Sequence, residues 1–182
     1  MWSSDNTTES IAAEDKWSSP FGPNQPILGR RFNSESRNDS GHDPSHHDGL
    51  DMISGADPDA PFITASDDSF MRSTEQSTDA TKVGVLGREV YAVHDAHVDW
   101  IDRNQGLMNA SYTNSHGETV TIQFVHFTGL VGIESGSTIQ RGKHIGYYSQ
   151  IGESNLPHSH ITAWRGKVSR PHLEDPEPYL KK

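Results

Sequence analysis

The 182-residue chain holds 11 histidines, at positions 42, 46, 47, 94, 97, 116, 126, 144, 158, 160 and 172. Histidine is the commonest metal ligand and the usual general base near neutral pH. Three placements offer chemistry. His158-Ser159-His160 lies in an extended stretch, LPHSHITAW, at 156–164. Side chains alternate faces along a strand, so these two imidazoles project the same way, about 6.5–7 Å apart. One can bind a metal while the other reaches a water or substrate on it. His47-Asp48-Gly49-Leu50-Asp51 sets an imidazole and a carboxylate four residues apart. They converge on one ion if Gly49 permits a tight turn between them. His126 ends the alternating run TVTIQFVHF at 119–127. None of the three is specific alone. One His-x-His or His-x-x-x-Asp is close to chance at this composition, and a lone strand histidine is more often structural.

The elements that must position these groups read as strands. Glu89–Asp102, EVYAVHDAHVDWID, reads as a strand, a turn near Asp95–His97, and a second strand through Val98–Ile101. In Thr119–Phe127 the alternation puts Val120, Ile122, Phe124 and His126 on one face. Ser135–Ser149 is punctuated by Gly136, Gly142 and Gly146 into short extended pieces. Helical periodicity is nearly absent. The expectation is an all-β domain of short antiparallel strands with long loops, spanning residues 18–182. Residues 1–17 are polar and read as an N-terminal arm. Residues 55–82 are rich in acids, Ser and Thr, and read as a long insertion within the domain.

Composition excludes several classes. A formal net charge of -10 disfavours nucleic acid and anionic membrane surfaces as main partners. The absence of cysteine removes disulfides, thiolate metal sites and a cysteine nucleophile. No run approaches the roughly 18 apolar residues of a membrane span. The first residues, MWSSDNTTESIAAEDKW, lack the basic and apolar regions of a signal peptide.

Read in order, the segments are SSPFG at 18–22, HDGLDM at 47–52, GREVYAVHDAHVDWI at 87–101, GETVTIQFVHF at 117–127, ESGSTIQRGKHIGYYSQIGESNLPHSHI at 134–161 and EDPEPYL at 174–180. This order resembles the lysostaphin/LytM-type zinc metallopeptidases, the M23 family of peptidoglycan endopeptidases. The resemblance covers most of 18–180 and is broken chiefly by 55–82. It implies an antiparallel β groove, Zn2+ as cofactor, and His47, Asp51 and His160 as the metal ligands. It implies catalytic roles for His126 and His158, without saying which is the base. Three protein ligands leave a fourth tetrahedral position open, the arrangement of catalytic zinc. Trp100, Trp164, Tyr147 and Tyr148 read as core or groove wall, with Tyr147 and Tyr148 in a segment that would border the cleft. The departures are the His46-His47 pair, Asp95-Ala96-His97 where a glycine is usual, PHSHI for PHLHF, and FVHF for Tyr-x-His-Leu. None removes one of the five site residues.

The resemblance therefore implies a peptidoglycan cross-link hydrolase. With no signal peptide expected, the setting is a phage lysin or a virion-associated enzyme, its N-terminal arm docking on other virion or tail proteins. The competing readings are a non-enzymatic M23-like module within an assembly and a histidine-rich metal buffer. The remaining histidines are expected to be solvated or structural.

Overall fold

The computed structural model describes residues 11–32, 47–57, 87–152 and 157–180. The insertion expected at 55–82 lies outside the described residues from 58 onward, as do His42 and His46. Among the described residues eleven strands run in chain order: β1 Pro26–Arg30, β2 Leu50–Ser54, β3 Glu89–Tyr91, β4 Ala96–Asp102, β5 Leu107–Thr113, β6 Thr119–Val125, β7 Phe127–Gly129, β8 Thr138–Ile139, β9 His144–Tyr148, β10 Ser159–Arg165 and β11 Leu173–Glu174. The one α-helix among the described residues is α1, Glu177–Leu180. No helix among them is long and apolar enough to cross a membrane.

The large sheet has the order β1-β2-β10-β6-β5-β4-β8, with β11 also paired to β10. The small sheet has the order β3-β9-β7. Every strand pairing among the described residues is antiparallel. The all-β expectation holds.

Alternation explains how the large sheet splits its two faces. Met108, Ala110 and Tyr112 of β5 lie opposite Phe124, Ile122 and Val120 of β6. Ile161 and Ala163 of β10 lie opposite Phe124 and Ile122 from the other side. All eight are buried and form the centre of one core. Removing an aliphatic or aromatic side chain of this size from water stabilises the fold by about 1.5–3 kcal/mol. Val90, Phe127, Ile145 and Tyr148 of the small sheet join the same cluster, so the two sheets share it. The opposite face of the large sheet carries Val125, Gln123 and Asn109, all only half-buried, and the functional residues lie on that face.

Two contacts close the chain on itself. Trp17 stacks on Tyr179 of α1 at 4.7 Å between ring centres and donates its indole N–H to the Tyr112 hydroxyl at 3.0 Å. Residues 11–17, read from sequence as the inner end of a polar arm, are thus packed on the body through Ile11 and Trp17. Arg88 Nε donates to Asp57 Oδ2 at 2.8 Å, and the Tyr148 hydroxyl donates to the same oxygen at 2.7 Å. Asp57 and Arg88 flank the 58–86 segment, so this buried ion pair joins its two ends.

Candidate metal centre

β2 and β10 bring the first pieces together. Their register sets Asp51 directly opposite His160. Cross-strand partners share a face, so the carboxylate and the imidazole meet. His160 Nδ1 lies 2.8 Å from Asp51 Oδ1. His47 precedes β2, and its Nε2 lies 3.2 Å from Asp51 Oδ2. One ligand atom from each of His47, Asp51 and His160 falls within 4.8 Å of the others.

Gly49 permits this convergence by close approach, not by the turn conformation expected from sequence. Its φ is not positive. A Cβ there would collide with the Ile161 carbonyl and lie 2.8 Å from His160 Nε2 and 2.9 Å from Thr162 Oγ1. Glycine lets the 47–51 segment lie flat against β10.

His126 required a correction. The alternation of 119–127 puts it on the core face with Phe124. In the structure β6 ends at Val125, and His126 has φ +56°, the one positive value at a non-glycine residue among those described. That reversal carries the ring to the other face, 4.5 Å from the His158 ring and 6.4 Å from the His160 ring. His158 lies just before β10, paired with Ser149 through an isolated bridge, and its Nε2 is 3.3 Å from Asp51 Oδ1.

Backbone carbonyls set the ring tautomers. His47 Nδ1–H donates to the Arg31 carbonyl at 2.9 Å, and His126 Nδ1–H donates to the Ile151 carbonyl at 2.8 Å. A carbonyl only accepts, so each Nδ1 carries a proton. For His47 that turns Nε2 toward Asp51 Oδ2, 3.2 Å away, and makes it the ring atom that would bind a metal, the arrangement typical of metal-bound histidine.

The electrostatics turn on a buried carboxylate. Burial acts to raise the Asp51 pKa, but the imidazoles of His158 and His47 outweigh it and hold the group well below the ordinary 3.8. For His160, burial pulls downward, but hydrogen bonds to Asp48 and Asp51 prevail and raise its pKa to about 9. Burial, reinforced by the charge of His158, lowers His126 to about 3. The hydrogen bond to His160 lowers Asp48. The cluster is thus an anion that demands a cation, and a proton on His160 fills that need in the metal-free chain.

The donors fit zinc. Two imidazoles and a carboxylate form a catalytic type of ligand set. Tetrahedral ligands about 2.0–2.1 Å from zinc lie about 3.3 Å from one another. His47 Nε2 lies 3.2 Å from Asp51 Oδ2 and His160 Nδ1 lies 2.8 Å from Asp51 Oδ1, and one atom from each of the three residues falls within 4.8 Å of the others.

All five sequence-derived residues therefore meet in one place. Sequence reasoning missed four supporting groups: the Arg31 and Ile151 carbonyls, Asp48, and Thr162. Asp48 Oδ1 is 3.1 Å from His160 Nε2 and Thr162 Oγ1 is 3.0 Å from it. Thr162 is two residues beyond His160, and strand alternation was signal enough to find it. Tyr148 takes the core side of its two sequence readings: it is buried and bonded to Asp57, which together push its phenol pKa up. His94 stacks on Tyr112 at 3.8 Å and His144 packs against Tyr91 and Tyr147, both in structural roles.

No protein-family model matches the sequence, and no curated protein sequence matches it either. Solved structures do. The chain is similar to the catalytic domain of the antimicrobial peptidase lysostaphin from Staphylococcus simulans, with TM-score 0.54 and 16% identity over 87% of this chain and 93% of that one. Against lysostaphin beyond its catalytic domain, it spans about half the length, 55%. It is also similar to a zinc-containing peptidase from Vibrio cholerae, with TM-score 0.51 and 14% identity, over 95% of this chain but 38% of that one. A third likeness is to the SpoIIQ–SpoIIIAH pore-forming complex, with TM-score 0.53 and 11% identity over 93% of this chain and 94% of that one. At such identities the likeness is one of fold. Two antiparallel sheets sharing one core, with almost no helix, give this chain the fold of the lysostaphin/LytM-type M23 peptidases.

Proposed function

We propose that this chain is a zinc-dependent endopeptidase that hydrolyses peptide cross-links of bacterial peptidoglycan. The observation that carries the reading is the convergence of His47, Asp51 and His160 within 4.8 Å, with the rings of His126 and His158 beside them. His47 through Nε2, Asp51 as an anion and His160 would hold the metal. Zinc bound there supplies a Lewis acid that polarises the scissile carbonyl and acidifies water. His126, its Nδ1–H held by the Ile151 carbonyl, presents Nε2 as an acceptor and would take the proton of the attacking water. His158, whose Nε2 lies 3.3 Å from Asp51 Oδ1, stands beside the cluster and would stabilise the carbonyl oxygen as charge develops, or protonate the leaving amine.

The test is zinc content per chain together with mass spectrometry of fragments released from purified cell walls, with and without chelator. One zinc per chain and chelator-sensitive release of cross-link peptides is the expected result. Release of glycan fragments alone would overturn it. We propose a phage lysin or virion-associated enzyme as the setting, on the sequence reading. Detection of the chain in purified particles or lysates, by mass spectrometry, tests that part.

A second reading has the likeness to the SpoIIQ–SpoIIIAH pore-forming complex behind it. It makes the chain a non-enzymatic module of an assembly. Stoichiometric zinc with no hydrolysis of any wall preparation would favour it.

A further inference from the structure

His126 is held at φ +56°, where an L side chain crowds its own backbone. A closed circuit of hydrogen bonds opposes that strain. The Ser149 N–H donates to the His126 carbonyl at 2.7 Å, and the Ser149 hydroxyl donates to the same oxygen at 3.2 Å. That hydroxyl also accepts the Ile151 N–H at 3.1 Å. The Ile151 carbonyl in turn accepts the His126 Nδ1–H at 2.8 Å. Ser149 is buried, and its backbone bridges to His158. One hydroxyl thus joins the backbone of His126 to the turn that orients its ring, using both its donor and its acceptor capacity.

We propose that Ser149 is a positioning residue that holds His126 in its left-handed conformation and its Nδ1–H tautomer. Its catalytic consequence rests on the peptidase reading above; its effect on the ring does not. Without the hydroxyl the Ser149 N–H still holds the His126 carbonyl, but the Ile151 N–H loses its acceptor, so the turn loosens, the Ile151 carbonyl shifts, and the ring is free to take the other tautomer.

The experiment is nitrogen-15 histidine NMR on the full, zinc-free chain, with steady-state hydrolysis of cell-wall peptide measured on the zinc-loaded chain. Wild type is expected to show His126 as the Nδ1–H tautomer alone; an Nε2–H signal there overturns the proposal without any variant. Ser149→Ala is expected to mix the two tautomers and to lower kcat by about tenfold or more with KM nearly unchanged, as losses of orienting partners do. Ser149→Thr is expected to restore both. A single Nδ1–H tautomer in Ser149→Ala overturns the proposal. If Ser149→Ala does not fold, Ser149→Cys, with a weaker donor of similar size, is read in the same way. If the wild-type chain hydrolyses nothing, the peptidase reading fails while the tautomer result still decides the role of Ser149.

Discussion

Two histidines within 6.4 Å of each other are driven in opposite directions, and the cause is what each ring nitrogen meets. Both nitrogens of His160 face oxygen acceptors, so the ring favours its charged form. His126 meets one carbonyl and is otherwise buried beside other imidazoles, so it favours the neutral form. The sign of the stability effect follows. His160 has a folded pKa near 9, above its ordinary 6.5. Its contribution is full below 6.5 and is lost as pH rises toward 9. His126 has a folded pKa near 3, so its contribution is full above 6.5 and is lost as pH falls toward 3. The zinc-free chain should therefore melt highest near pH 6.5 and lower on both sides. Zinc should abolish the alkaline loss, because metal replaces the His160 proton. Melting temperature against pH, with and without zinc, checks both limbs. Substitution separates the roles further. His160→Ala and Asp51→Ala should lose zinc and hydrolysis together. His126→Ala should keep zinc and lose hydrolysis by about 10²–10⁴-fold, measured as kcat at constant metal content.

Strand pairing does the work of assembly. The register that opposes Asp51 to His160 depends on β2 lying close to β10, and Gly49 is the residue that allows it. Gly49→Ala should push Ile161 and His160 away. We expect a loss of about 1–3 kcal/mol in unfolding free energy, as for other overpacked sites, together with weaker zinc binding. Denaturant unfolding and zinc titration of the purified variant measure the two effects. A mild stability loss with unchanged zinc affinity would show that the 47–51 segment shifts without disturbing the ligands. The core side of the same strands is less demanding. Ile122, Phe124 and Ile161 need volume and apolarity, which several residues supply.

The fold as a whole is closed by two distant contacts. Trp17 and Tyr179 bring the segments at 11–17 and 177–180 together against the large sheet. Asp57, Arg88 and Tyr148 bring together the two ends of the segment between β2 and β3. The second contact is a buried ion pair, and its partners depend on each other. Arg88→Met leaves the Asp57 carboxylate buried without its cation and should cost about 3–5 kcal/mol. The pair Arg88→Met with Asp57→Leu should cost less than Arg88→Met alone, because no buried charge remains. Chemical denaturation of the three proteins checks the order. The reverse order would mean that the Asp57 carboxylate is better accommodated without Arg88 than a leucine in its place.

Much of this could be read from the chain alone, and the reason is locality. Strand alternation is a two-residue property, so the β character of 119–125 and 159–165 and their buried faces were legible from side-chain pattern. The five candidate residues could be picked out together because their types and order resemble a known pattern. What the pattern did not contain was backbone. Nothing in FVHF reveals the positive φ that carries His126 from the core face to the metal face, because that conformation is imposed by the turn at 149–151, more than 20 residues away. The Arg31 and Ile151 carbonyls that fix the imidazole tautomers have no side-chain signature at all. Composition determined that the ligands would be imidazoles and carboxylates, since no thiol exists to compete. Which nitrogen of each ring is left to bind or accept a proton was settled by folding, since it depends on which carbonyl the packed chain brings within hydrogen-bond reach.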